Sequence, residues 1–307
     1  MTVFIIKRIF MFIPVLFLMA VGSFIIIHYA PGSPFSQDKL INKETLNRLN
    51  AEYGLDKPLH TQILKYLGNL AQGNLGYSTK YRNTTVNEII AQSLPVSASL
   101  GLFALALTLL LGTIFGIIAA AKKNSTADHI TMFVAMVGIS APNFVIASIL
   151  LIVFSFLLKW VPAAGWGQYK HVILPGITLA APYIAYVSRL MRASMLEVMH
   201  QDYITTARAK GLSEFRTVTH HAFKNALTPV ISFLAPAASF ILTGSIVVEK
   251  IFCVPGIGTH FVHSALHRDH FVAVGCALLI GLILLTLNLV ADILYAVVNP
   301  RVRYDKS

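Results

Sequence analysis

Charge is scarce in this sequence. Only 12% of its 307 residues are Asp, Glu, Lys or Arg, about half the share of an ordinary soluble domain. So little charge does not cover the surface of a water-soluble protein of this length, and an apolar share of 56% says the same. A soluble enzyme, a disordered chain and a fibre are excluded, which leaves an integral membrane protein. Cysteine is nearly absent: Cys253 and Cys276 make no disulfide framework and leave the redox compartment unread. Acids are few as well, 13 against 24 Lys plus Arg, for a formal net charge of +11. In a soluble chain that excess would point to nucleic acid, but here it reads as basic loops beside a membrane, with no nucleic-acid partner. There is no G-x-x-x-x-G-K-[ST] phosphate loop, no internal repeat and no low-complexity tract, so the chain is not expected to be an ATP-hydrolysing motor or a solenoid.

What is there is a set of long apolar runs. Stretches free of Asp, Glu, Lys and Arg cover 9–37, 89–121, 129–158, 171–188, 225–248 and 270–291. At about 1.5 Å rise per residue even the shortest covers about 27 Å, close to a hydrocarbon core of about 30 Å. Trimmed at turn residues, they predict six transmembrane helices near 9–29, 96–121, 130–158, 172–190, 226–248 and 272–298, with Pro142 a candidate break in the third. The first run follows Lys7 and Arg8 as a signal peptide would. It is longer than a signal core, however, and lacks a clear small-x-small cleavage site before Pro31, so it is read as a retained span.

Lys and Arg in short loops set the orientation. One side holds thirteen, among them Lys7, Arg8, Lys122, Lys123, Arg189, Arg192, Arg208, Lys210 and Arg301, and the short loops of the other hold Lys159, Lys170, Lys250 and Arg268, while seven more in the long segment 31–94 count little. Both termini are therefore expected in the cytoplasm. The organisation reads as a first transmembrane helix over 1–30, an external cap segment over 31–94, and a five-helix core over 95–307 containing a cytoplasmic loop, 189–225. In the cap, Leu59, Ile63, Tyr66, Leu67 and Leu70 share one helical face.

The 189–225 loop is long and keeps helical periodicity. Leu196, Met199 and Tyr203 recur at i, i+3 and i+7 with Ala207 extending the face, and Phe215, Val218 and Ala222 repeat the pattern beyond Gly211. Gly211 suits a helix end in the left-handed conformation, so two short amphipathic helices joined at a glycine corner are expected. One reading is a basic segment lying on anionic headgroups. Another is a docking corner for a cytoplasmic partner, favoured by the small side chains of Ala207, Ala209 and Gly211.

Tyr203-Ile204-Thr205-Thr206-Ala207-Arg208-Ala209-Lys210-Gly211-Leu212, followed by His221-Ala222-Phe223-Lys224-Asn225-Ala226-Leu227-Thr228-Pro229, closely resembles the cytoplasmic signature of ATP-binding-cassette importer permeases. More narrowly, the chain resembles the oligopeptide/dipeptide/nickel permease family, and within it the oligopeptide B-type subunits. Further strings carry the resemblance across nearly the whole chain: His28-Tyr29-Ala30-Pro31-Gly32-Ser33-Pro34, Tyr53-Gly54-Leu55-Asp56-Lys57-Pro58-Leu59, Gly73-Asn74-Leu75-Gly76-Tyr77-Ser78, and Val248 to Phe252 with Val254 to Gly258 and Arg268-Asp269. Two departures stand out. Thr205, Thr206 and Ala207 occupy the place of Glu-Ala-Ala in the broad importer motif, and Lys250 stands where the family usually has threonine.

The resemblance implies an all-α integral membrane protein of the type I ABC importer permease fold in a bacterial cytoplasmic (inner) membrane. It also implies a second homologous permease subunit, two ABC ATPase subunits that hydrolyse ATP with Mg, and an external solute-binding protein. The ATPase-coupling residues it implies are Tyr203, Thr205, Thr206, Ala207, Arg208, Ala209, Lys210, Gly211, Leu212 and His221. No cofactor or metal bound by this chain and no catalytic residue is expected. Peptides are the expected substrates, with nickel or another small solute as the alternative within the family.

Other features carry two readings each. Gly112 and Gly116 form a G-x-x-x-G, which usually marks close helix packing in lipid. Asp292 is the carboxylate within the predicted spans; it is a candidate proton relay or a group meeting interfacial water or Arg301. His260, His263, His267 and His270 fall at i, i+3, i+7 and i+10, a spacing open to zinc or nickel if one helix carries them all, or to plain solvation. An ion-coupled secondary transporter is the rival from another class, but it calls for inverted repeats and midplane acids, and neither is visible.

Overall fold

The structure is a computed structural model that describes residues 2–29, 48, 51, 54, 56–81 and 83–298. Apolar runs and turn residues divide these into α1 (Thr2–Tyr29), α2 (Leu59–Ala71), α3 (Val86–Ala121), α4 (Thr126–Ser140), α5 (Asn143–Leu150), α6 (Lys170–Val198), α7 (Asp202–Ala209), α8 (Glu214–Arg216), α9 (Phe223–Leu242), α10 (Ile246–Ile251), α11 (Ile257–His267) and α12 (His270–Val298). Two π-helical turns, Leu151–Leu157 after α5 and Thr217–Ala222 before α9, interrupt the pattern. Extended pairing among the described residues is limited to one bridge, Tyr77 with Thr85.

Among the described residues, four helices are long and apolar enough to cross a membrane: Phe4–Ile26, Val86–Ala121, Lys170–Val198 and His270–Ile293. The count reaches six when two bent pairs are each taken as one span. Thr126–Ser140 with Asn143–Leu157 turns through 113°, and Glu214–Leu234 with Pro236–Ile251 through 53°. The expected third span, 130–158, is thus no single rod. Pro142 has no N–H to donate and disfavours a helical residue before it, and Ala141 is accordingly extended at φ −78° and ψ 127°. Pro14, Pro95, Pro175 and Pro182 sit inside their helices without ending them.

The chain falls into two compact units, Met1–Ser97 with Pro255–Leu285, and Ala98–Val254 with Thr286–Ser307. In the first, the expected face of α2 is the one that packs: Leu59, Ile63, Tyr66, Leu67 and Leu70 lie against Ala20 and Phe24 of α1 and Val274 and Leu278 of α12. Asp269, 2% exposed, ties the 78–80 turn to the start of α12. Its carboxylate accepts from the Ser78 hydroxyl, from Thr79 N at 3.2 Å, from Lys80 N at 3.4 Å and from Val272 N at 3.4 Å.

In the second unit the G-x-x-x-G of α3 lies against α6. A Cβ at Gly112 would stand 2.8 Å from the Val187 side chain, and one at Gly116 would stand 2.7 Å from Ser188 O. Absent side chains let the two backbones approach, as in other membrane helix pairs. The helices converge on a core of Ala120, Val187, Met191, Met195, Ile204, Ala222, Ala226 and Val230. One ion pair pins the start of α4 to α6. Arg192 grips Asp128 with both Nε–Oδ1 and Nη2–Oδ2 at 2.6 Å, and Asn124 N donates to the same carboxylate at 3.0 Å.

Candidate functional site

The corner forms because α6 stops late and α7 starts at once. α6 runs past its expected end near 190 to Val198, and His200 and Gln201 turn the chain. Gln201 is extended and α7 begins at Asp202, whose charge suits a helix N-terminus. The sequence pattern is corrected here. Leu196 and Met199 do pack on the core, but Tyr203 belongs to the next helix and is 41% exposed. The residues of α7 that go inside are Ile204, at 0%, and Ala207, at 5%. Ile204 packs with Met191, Met195, Ala222 and Ala226 and fastens the corner to the ends of α6 and α9.

The end of α7 is a Schellman turn. Gly211 N donates to Arg208 O at 2.9 Å and Leu212 N to Ala207 O at 3.3 Å, with Gly211 at φ +80°. That left-handed conformation is cheapest for glycine. A Cβ at Gly211 would find nothing within 4 Å among the described residues. Conformation, not space, selects glycine as far as this chain is concerned. Ser213 then caps α8 by accepting from Arg216 N at 3.4 Å.

An ion pair closes the corner. Arg208 binds Glu214 in a fork, Nη2–Oε1 at 2.6 Å and Nε–Oε2 at 3.1 Å. The hydrogen bond to the carboxylate holds the guanidinium above its usual range. Both partners are exposed, at 39% and 58%, so the pair shapes the turn more than it stabilises the protein. The Asn225 amide donates to the Tyr203 hydroxyl at 2.7 Å, linking α7 to α9.

The structure gathers most of the expected coupling residues on one exposed ridge. Tyr203, Thr205, Thr206, Arg208, Ala209, Lys210 and Gly211 are exposed, Leu212 is half-buried and Ala207 is inside. His221 is exposed on the π turn Thr217–Ala222. The second stretch, 213–222, is not a separate short helix. It runs through that π turn directly into α9, and such turns recur at functional positions. Sequence reading missed three contacts: Arg208–Glu214, Tyr203–Asn225 and Asp128–Arg192. A carboxylate at the start of one apolar run and an arginine at the end of another was the available signal for the last.

The four histidines do not share one helix face. Arg268, left-handed at φ 57°, ends α11, and His270 opens α12. His263 and His267 remain neighbours, with ring centroids 5.6 Å apart. Among the described residues no group of three His, Cys, Asp or Glu is placed to hold a metal ion.

The described residues form a multi-pass helical membrane protein with a fastened, exposed corner between two spans. Comparison with known proteins narrows the class. The family model described as binding-protein-dependent transport system inner membrane component matches residues 112–304, and its N-terminal counterpart matches residues 1–101. The chain belongs to this family. It is 42% identical over 98% of its length to the Haemophilus influenzae oligopeptide transport system permease protein OppB, covering 99% of that protein. It is 44% identical, with the same coverage, to the Salmonella typhimurium OppB. It is 42% identical over 99% of its length to the Lactococcus lactis dipeptide transport system permease protein DppB, covering all of that protein. In fold it is similar to a chain of the MetNI methionine ABC transporter in inward-facing conformation, with a TM-score of 0.55 at 10% identity, over 69% of this chain and 96% of that one. The fold is that of a type I ABC importer permease in an inner membrane.

Proposed function

We propose that this chain is the membrane-spanning subunit of an ATP-driven importer for oligopeptides or dipeptides. The observation that carries this reading is the match over 98% of the chain, at 42–44% identity, to relatives named as oligopeptide permeases. Relatives named for dipeptides keep both peptide classes in view and favour peptide over nickel. The chain lines a path across the bilayer together with a second homologous permease subunit. It performs no ATP chemistry itself and needs no cofactor of its own. Two ATPase subunits supply that work, and an external solute-binding protein delivers the peptide.

The exposed ridge Tyr203–Leu212, with His221 beside it, is the seat of the ATPase subunits. Ile204 anchors that ridge in the core, so a push on the corner acts on α6 and α9 together rather than on a loose loop. In the short loops, thirteen Lys and Arg residues on the corner side against four opposite support a cytoplasmic corner and cytoplasmic termini, the seven in the long 31–94 segment counting little.

Co-purification of the tagged chain from its native membrane tests the reading. The expected result is recovery of a second six-span subunit and two nucleotide-binding proteins, with ATPase activity raised by a peptide-loaded binding protein. A chain that runs alone and moves solute down an imposed ion gradient in liposomes would overturn it.

A further inference from the structure

The first compact unit contains a cavity of about 120 Å³ bounded by α1, α2 and the start of α12. Pockets for whole drug-sized ligands run roughly 300–1,000 Å³, so this volume suits a headgroup-sized fragment. Its floor is aromatic. The Phe24 ring lies 5.5 Å from that of Tyr66 and 6.4 Å from that of Phe271, and Tyr66 and Phe271 are 6.0 Å apart. Phe24 falls near the end of the apolar stretch Phe4–Ile26 and Phe271 near the beginning of His270–Ile293. The cavity is therefore level with the ends of two spans, at headgroup depth.

Two features of the lining point to an anion. Lys57 and Lys65 border the cavity and are exposed, while no lining side chain among the described residues is acidic. Tyr66 is 3% exposed, and its buried hydroxyl has no hydrogen-bond partner among the described residues. Proteins rarely leave such a group unsatisfied, and a ligand oxygen that accepts its proton removes the penalty. Burial first, and Cys276 second, hold the phenol above its ordinary value, so the hydroxyl stays a donor. Gln62 donates to Lys57 O at 2.7 Å, which fixes the backbone carrying one of the two cations.

We propose that this cavity binds a phosphate group, with Lys57 and Lys65 as its cations, the Tyr66 hydroxyl as its buried donor and the aromatic floor under the adjoining carbon atoms. The phosphodiester of an anionic lipid and free phosphate share this chemistry. The position at the ends of α1 and α12 favours the lipid, since basic pockets beside membrane helices hold anionic headgroups.

The full-length chain, purified and exchanged into vesicles of phosphatidylcholine containing phosphatidylglycerol, then tested for retained lipid by native mass spectrometry, decides the matter. Phosphatidylglycerol is expected to be retained in preference to phosphatidylcholine. Lys57→Gln with Lys65→Gln should lower its retention about tenfold, because two lysines at an anionic headgroup act together. Tyr66→Phe keeps the ring and its packing and should lower retention without lowering the melting temperature in lipid-free detergent. Should inorganic phosphate raise the wild-type melting temperature, but not that of the lysine variant, while no phosphatidylglycerol is retained, the ligand is the free anion. Equal lipid retention by the wild type and both variants, with no response to phosphate, overturns the proposal.

Discussion

Gly211 shows how one backbone angle sets a surface. A β-carbon at φ +80° costs roughly 1–2 kcal/mol, most for a β-branched residue, while asparagine tolerates this region. Gly211→Val is therefore expected to leave the protein in the membrane and abolish peptide uptake. Gly211→Asn should keep the turn and much of the uptake; if both variants lose uptake equally, clearance for a partner rather than backbone conformation is what glycine provides. The two ion pairs separate by burial. Asp128 is 3% exposed by side chain and Arg192 24%, so Arg192→Ala strands a buried carboxylate and should cost about 3 kcal/mol or more. Arg208→Ala, at an exposed pair, should cost about 1 kcal/mol or less. Thermal unfolding of the two variants side by side reads the difference.

His260 carries a pH prediction. Burial first, and His263 second, lower its pKa below the ordinary histidine value. Its neighbours around a small cavity are Lys80, Tyr81, His263, His267 and Asp269. Since the folded state holds this proton less tightly than the unfolded chain does, stability is full above the ordinary value of about 6.5 and falls as pH drops through it. A melting temperature that declines from pH 7.5 to 5.5, less steeply in His260→Gln, is the expected result.

Among the helices, the α3–α6 seam depends on missing side chains. Gly116→Ala places a Cβ 2.6 Å from the Met191 Cβ and 2.7 Å from Ser188 O. Because a backbone oxygen cannot swing aside, overpacking of about 1–3 kcal/mol is expected, read as a lowered melting temperature of the detergent-solubilised chain. The motif Gly112-x-x-x-Gly116 was legible in the sequence, but its partner helix was not. The corner shows the same division. Glycine and helical periodicity announced a turn, while the register within α7 depended on which residues met Met191 and Met195. Ile204 and Ala207 therefore went inside and Tyr203 stayed out. Nor did periodicity reveal that 213–222 continues into α9, because a π turn shifts the phase of the pattern it joins.

In the proposed assembly, the fastening of the ridge to the core would make this chain the mechanical link between the ATPase subunits and the path. Truncating its anchors with Ile204→Ala and Met195→Ala should loosen the corner, keeping ATPase subunits bound while uncoupling hydrolysis from peptide uptake. Measuring both rates in the reconstituted complex checks this. Uptake that falls in step with hydrolysis would show that the anchors do not serve coupling.

Composition alone placed this protein in a membrane, because a chain with so little charge has no other way to satisfy water. Local pattern placed the corner, the cap helix face and the break at Pro142, since helical period, glycine and proline act over a few residues. Tertiary structure alone decided the rest. Asp128 meets Arg192 across 64 positions, and Phe24, Tyr66 and Phe271 assemble from three separate segments of the sequence. His270 leaves the face of its three fellows because Arg268 ends α11. Pairings of that kind depend on where whole helices come to rest, and no short stretch of residues encodes it.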